Sequence, residues 1–158
     1  MKTTCSIIPL ITFLLLFFSG CSAEQTEISG ANYDLPDDGI EIADAWARPG
    51  RDNGVSAIYM HVLNGSAVTD TLIAFSSPVA GLVELHETFD RGDGMMGMRE
   101  SEEPFFPARS VVSMQPGGLH VMLMQLNRAL SEGDEVELIL TFSEAGEITI
   151  TAPVRSPG

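Results

Sequence analysis

Histidine and methionine recur at alternate positions of the segment GGLHVMLMQL. His120, Met122 and Met124 are spaced two residues apart within an otherwise apolar run. If this run is a β-strand, the three side chains lie on one face, and Val121 and Leu123 lie on the other. An imidazole next to a thioether is a donor pair for a soft metal ion, since thioethers favour Cu(I) over hard or borderline cations.

A second cluster of the same residue types lies in LHETFDRGDGMMGMRE, which contains His86, Met95, Met96 and Met98. The glycine-rich part of this segment predicts an exposed, mobile turn. Three unbranched apolar side chains have little to pack against in such a turn. We therefore interpret this cluster as a second source of metal ligands.

The other methionines and the third histidine have simpler interpretations. Methionine often fills irregular gaps in a core, and we assign Met60, Met114 and Met124 to packing. His61, which follows Met60 in YMHVLN, lacks the alternating spacing and is interpreted as a structural or surface residue.

The N-terminus has the features of an exported lipoprotein. Lys2 precedes an apolar run that ends at Ser19–Gly20, and Cys21 follows directly. This pattern predicts a signal peptide over residues 1–20 and lipidation of Cys21, which would anchor the protein to a membrane outside the cytoplasm, in the periplasm or its equivalent. The alternative is an ordinary cleaved signal peptide without a lipid on Cys21. The polar, acidic residues 21–39 are predicted to form a flexible tether. The domain is predicted to span residues 40–154, followed by a short tail at 155–158.

Composition excludes several classes of function. The predicted domain contains no cysteine, which excludes disulfides, thiolate zinc sites, blue-copper sites and a CuA-type centre within this chain. The chain has 22 acidic and 8 basic residues, a net charge of −14, which argues against nucleic-acid binding. No phosphate-binding loop, GxSxG or HExxH motif is present, so the sequence does not predict an enzyme.

Seven short apolar runs separated by Gly, Pro, Asn and Asp make up most of the predicted domain. This spacing is typical of an all-β protein, an antiparallel β-sandwich of the cupredoxin-like or Ig-like type. Residues 127–134 are predicted to cross between the two sheets. The runs lie at 55–64, 69–77, 79–88, 109–114, 119–126, 134–142 and 146–154.

The segments DAWAR, VELHE, MGMR, PGGLHVMLMQL and LSEGDEVELILTF resemble the PCuAC family of periplasmic copper chaperones. The hallmark of that family is His, ten residues, Met, twenty-one residues and His-x-Met. Met98 and His120 have the twenty-one-residue spacing, and HVM supplies His120 and Met122. Eleven residues rather than ten separate His86 from Met98, which leaves Met96 as an alternative ligand to Met98.

The resemblance implies a cupredoxin-like sandwich that binds one Cu(I) per chain through His86, Met98, His120 and Met122. It also implies delivery of copper to the CuA subunit of cytochrome c oxidase, directly or with a thioredoxin-like copper-assembly protein. Two alternatives stay open at this point. One is a copper-sequestering protein with the same site, and the other is an Ig-like interaction module whose methionines only pack.

Overall fold

The computed structural model describes residues 33–101 and 105–157, and within these ranges the regular structure is entirely β. The predicted signal peptide, Cys21 and residues 22–32 of the predicted tether lie outside the described residues. No helix in the described part is long and apolar enough to cross a membrane. The strands, in chain order, are β1 (Ile40–Ala47), β2 (Val55–Asn64), β3 (Asp70–Ser76), β4 (Ala80–Asp90), β5 (Met96–Glu100), β6 (Phe105–Phe106), β7 (Ser110–Met114), β8 (Leu119–Leu126), β9 (Glu135–Phe142) and β10 (Gly146–Pro153).

The strands form two antiparallel sheets. The first sheet has the order β1-β2-β8-β4-β5, and β7 also pairs with β2. The second sheet has the order β10-β9-β3-β6. The predicted all-β antiparallel sandwich is therefore confirmed.

The core lies between the two sheets and is built from alternate side chains of their strands, most regularly in β9. In β8, Val121 and Leu123 are fully buried, and in β9 the same holds for Val136, Leu138 and Leu140. Because successive side chains of a strand point to opposite faces, the residues between them lie on the outer faces of the sandwich. The fold thus directs a second set of side chains of the first sheet away from the core.

All seven predicted runs correspond to strands, and residues 127–134 connect β8 of the first sheet to β9 of the second, as predicted. Three strands, β1, β5 and β6, were not predicted. The strand β1 has a register shift between Ala43 and Trp46, where Asp44 has a positive φ of 52°. This irregularity interrupts the alternation that would have marked the strand.

Residues 33–39, which we expected to belong to the tether, lie against the first sheet. The Tyr33 ring packs on the His61 ring at a centroid distance of 4.6 Å, and its hydroxyl donates a hydrogen bond to Asp44. Pro36 approaches Gly65 so closely that a Cβ at this glycine would lie 2.0 Å from the Pro36 carbonyl oxygen. This part of the segment therefore has specific contacts with the domain.

A buried carboxylate stabilises the turn between β9 and β10. Asp70 is only 2% exposed and accepts hydrogen bonds from the backbone N–H groups of Thr71, Glu144 and Ala145 and from the Ser143 hydroxyl. Burial raises the pKa of this carboxyl, but the four hydrogen bonds outweigh it and hold the pKa below its usual value.

Candidate metal centre

The strand β8 presents the predicted donors on the outer face of the first sheet. Val121 and Leu123 are buried in the core, so His120, Met122 and Met124 point away from it. The alternation predicted for this segment is therefore confirmed. The His120 side chain is nevertheless sheltered, with 4% exposure, because the Tyr59 ring packs against it at a centroid distance of 5.9 Å.

The strand β4 brings His86 directly opposite His120. The two residues are cross-strand partners in the antiparallel β4·β8 pair, and their ring centroids are 6.2 Å apart. A metal ion about 2 Å from one nitrogen of each ring would need a centroid separation of roughly 6 Å. The two rings are therefore spaced so that one ion can reach both.

Hydrogen bonds fix both imidazoles. The His120 Nδ1 lies 2.9 Å from the Gly118 carbonyl oxygen, which can only accept, so Nδ1 carries the proton and Nε2 keeps its lone pair. The His86 Nε2 lies 2.9 Å from the Glu84 carboxylate. Both rings are thus oriented by a partner that is not itself one of the predicted donors, which is the usual arrangement for histidines that bind metals.

The strand β5 carries the methionines of the second cluster. Met98 lies opposite Thr88 and Met96 opposite Asp90 in the β4·β5 pair, so both thioethers share the outer face with His86. The prediction that both methionines lie in a mobile turn was wrong, because both belong to a paired strand. The predicted DRGDG turn precedes β5, and its conformation depends on positive φ angles at Gly92, Asp93 and Gly94.

An open cavity of about 570 Å³ brings most of the predicted donors together. Met96, Met98, His120 and Met122 all line it, with Arg48 and Tyr59 among the other lining residues. His86 is not part of this lining and joins the group through its position beside the His120 ring.

The remaining methionines are arranged differently. Met60 and Met114 are cross-strand partners in the β2·β7 pair and are each 1% exposed, which confirms that they belong to the core. Met124 is half-buried between Val55 of β2 and Leu82 of β4.

His61 lies apart from the candidate site. Its Nδ1 is 2.8 Å from the Ser113 hydroxyl, and its ring packs on Tyr33. Burial lowers the pKa of His61, and the negative charge of Asp44 acts in the opposite direction. These contacts agree with the interpretation of His61 as a structural or surface residue.

Sequence reasoning missed three residues that shape the site. Glu84 contacts His86, Tyr59 shelters His120, and Arg48 lines the cavity. Glu84 could have been found, since it precedes His86 by two positions and therefore shares its face of the strand. The contacts of Tyr59 and Arg48 depend on the pairing of distant segments and have no local signal.

The domain matches a family of putative lipoproteins. A family model described as "Putative lipoprotein LpqE-like" matches residues 40–154. A relative from Leifsonia xyli subsp. xyli, named "Putative lipoprotein Lxx21020", is 30% identical over 146 residues, which cover 92% of this chain and 86% of the relative.

Solved structures of copper proteins have the same fold. The copper-bound PCuAC domain from PmoF2 is 29% identical with a TM-score of 0.61, covering 79% of this chain and 97% of that domain. The Cu(I) form of DR1885 from Deinococcus radiodurans is 28% identical with a TM-score of 0.55, covering 72% of this chain and 78% of that one. The resemblance to PCuAC domains is therefore confirmed, and the chain belongs to the LpqE-like family with a PCuAC-type β-sandwich.

Proposed function

We propose that the protein binds one Cu(I) ion through His86, Met98, His120 and Met122 and acts as a copper chaperone. The observation that carries this proposal is the common location of the four side chains on the outer face of three adjacent strands, with the two histidines opposite each other. Two imidazoles and two thioethers form a donor set suited to Cu(I). The copper-bound state of the PmoF2 domain, which has this fold, supports copper binding by this chain.

The register of β5 favours Met98 over Met96 as the fourth ligand. Met98 lies opposite Thr88, one pair along the outer face from the His86–Glu100 pair, whereas Met96 lies two pairs away. Residues two apart on a strand are separated by about 7 Å. Met98 is therefore the thioether of β5 that has the shorter path to the histidines.

The unequal exposure of the ligands suits a carrier. His120 is sheltered and hydrogen-bonded to the backbone, while Met98 is 62% exposed at the edge of the sheet. The sheltered donors would keep the ion bound, and the exposed thioether would be the first that an acceptor can displace. An ion held in this way can pass to a partner without being released into water.

The second part of the proposal concerns where the protein acts and which client protein receives its copper. The LpqE-like family and the Leifsonia relative are named as lipoproteins, which supports an extracytoplasmic domain anchored by a lipid on Cys21. The CuA centre of cytochrome c oxidase is the proposed destination of the copper, reached directly or with a thioredoxin-like copper-assembly protein.

A Cu(I) titration of the purified protein against a chromophoric chelator tests metal binding. We expect one tightly bound equivalent, which the double variant His120→Ala/Met122→Ala loses. Failure of the wild-type protein to compete with the chelator would contradict the proposal and favour an interaction module whose methionines only pack.

A strain that lacks the gene tests the client. Under copper limitation we expect reduced cytochrome c oxidase activity that added copper restores. Normal oxidase activity combined with sensitivity to excess copper would instead identify a copper-sequestering protein with the same site.

A further inference from the structure

Glu84 lies next to two of the proposed ligands. It precedes His86 by two residues on β4 and is the cross-strand partner of Met122 on β8. All three side chains are on the outer face of the first sheet, because Leu85, between Glu84 and His86, is buried in the core. Glu84 is partly sheltered, with a side-chain exposure of 26%, against 17% for His86.

The contact between Glu84 and His86 determines where the imidazole proton lies. The Glu84 Oε2 is 2.9 Å from the His86 Nε2. An ionised carboxylate has no proton to donate and can only accept, so the neutral imidazole must carry its proton on Nε2. The lone pair of this ring is then on Nδ1.

His120 is held in the opposite tautomer. Its Nδ1 donates to the Gly118 carbonyl oxygen, which leaves the lone pair on Nε2. The two facing imidazoles therefore offer different nitrogens, and each is fixed by a different kind of acceptor, one a backbone carbonyl and the other a carboxylate.

We propose that Glu84 is a positioning residue, whose carboxylate holds His86 in the Nε2-protonated tautomer and so makes Nδ1 the nitrogen that binds copper. The proposal rests on the Cu(I) site proposed above. A carboxylate that accepts a proton from a ligating imidazole also raises the basicity of the other nitrogen, which strengthens its bond to a metal. Glu84 thus prepares a donor that would otherwise populate two tautomers.

Two neighbouring carboxylates provide matched controls. Glu87 is on the same strand but on the opposite face, where it pairs with Arg99. Glu100 is the cross-strand partner of His86 on β5, and its carboxylate is not the one bonded to the ring. Glu87→Gln and Glu100→Gln therefore remove the same charge as Glu84→Gln without removing the contact to Nε2.

The experiment combines nitrogen NMR of the purified metal-free protein with Cu(I) competition. Long-range ¹H–¹⁵N spectra at about pH 8, well above the pKa of about 6.5 of a free imidazole, report the tautomer of each histidine. We expect His86 to be protonated on Nε2 in the wild type and in both control variants, and to become a mixture of tautomers in Glu84→Gln. We also expect Glu84→Gln to weaken Cu(I) binding by about tenfold to a hundredfold, and the controls to bind as the wild type does.

Two results would overturn the role of Glu84. One is a His86 tautomer that is the same in Glu84→Gln as in the wild type. The other is an equal loss of affinity in all three variants, which would reflect net charge alone. A wild-type protein that does not bind Cu(I) would overturn the proposed function instead, and the spectra of the metal-free protein would still decide whether Glu84 orients His86.

Discussion

Methionine occupies two regions of this molecule under opposite conditions. Met60 and Met114 face each other across β2 and β7 with 1% exposure, whereas Met96 and Met98 lie on the edge strand β5 with 60% and 62% exposure. The first pair fills the core, where a thioether does the work of any flexible apolar side chain. The second pair gains almost nothing from burial.

The difference between these regions indicates which methionines need a chemical explanation. Burying a methionine side chain contributes about 1.5–3 kcal/mol to stability, which is sufficient reason for the core pair. Exposed thioethers that line a cavity with His120 and Met122 have no such reason. Binding of a soft metal ion supplies one. Substitutions in the two regions should therefore separate stability from copper binding.

Met60→Ala should have the largest effect, and on stability alone. Truncation of a fully buried methionine leaves a cavity and costs about 2–5 kcal/mol of the free energy of unfolding. Urea denaturation measures this loss. A chelator competition under conditions in which the variant is folded should show unchanged Cu(I) affinity. Weaker copper binding by the folded variant would contradict the assignment of Met60 to core packing alone.

Asp70→Asn should also lower the stability of the protein without changing its affinity for copper. Loss of the charge from a buried carboxylate with four hydrogen bonds should cost about 1–3 kcal/mol at neutral pH, with no effect on copper. Because folding lowers the pKa of Asp70, its stabilising effect is present above the unfolded pKa of about 3.9 and is lost as the pH falls through the folded value. The difference between the unfolding free energies of the two proteins should therefore begin to decrease as the pH falls below about 4; a difference that stays constant at lower pH would contradict this origin of the effect.

Met98→Leu should weaken copper binding and leave the stability of the protein almost unchanged. Leucine keeps the apolar volume but removes the sulfur, so we expect the Cu(I) affinity to fall by on the order of tenfold, equivalent to about 1.4 kcal/mol. The free energy of unfolding should change by less than about 0.5 kcal/mol, because the side chain is exposed. Chelator competition and urea denaturation of the same sample give both values, and an unchanged affinity would exclude Met98 as a ligand.

The smallest effects are expected at the two neighbouring methionines. Met96→Leu should weaken binding less than Met98→Leu, since Met96 lies farther from the histidines along the sheet. Met95→Leu should change neither affinity nor stability, because Met95 is exposed and precedes β5. The same competition assay compares all three variants. A larger loss of Cu(I) affinity with Met96→Leu than with Met98→Leu would indicate that Met96 is the ligand.

The sequence predicted those parts of the fold that depend on local alternation. The segment LHVMLMQL alternates between core and outer positions, so both β8 and the common face of His120 and Met122 could be inferred. The strand β5 could not be, because Gly97 and the preceding glycine-rich turn give MMGMRE the composition of a loop. Pairing with β4 overrides that local preference.

The arrangement of the donors depends on register, which local sequence does not encode. His86 and His120 come from different strands, and their direct opposition follows from the antiparallel pairing of β4 with β8. The contact of Glu84 with His86 requires side-chain conformations as well as strand alternation. The residue types on this face of the sheet were therefore predictable, but not their mutual positions.

X-ray absorption spectroscopy of the Cu(I)-loaded protein tests the central claim most directly, because it identifies the atoms bound to copper. We predict nitrogen and sulfur scatterers in equal number for the wild type, with the sulfur contribution reduced by half in Met98→Leu and unchanged in Met60→Leu. A spectrum with nitrogen and oxygen scatterers alone would contradict a site built from the outer-face histidines and methionines, and a spectrum that is the same in all three proteins would exclude Met98 as a ligand.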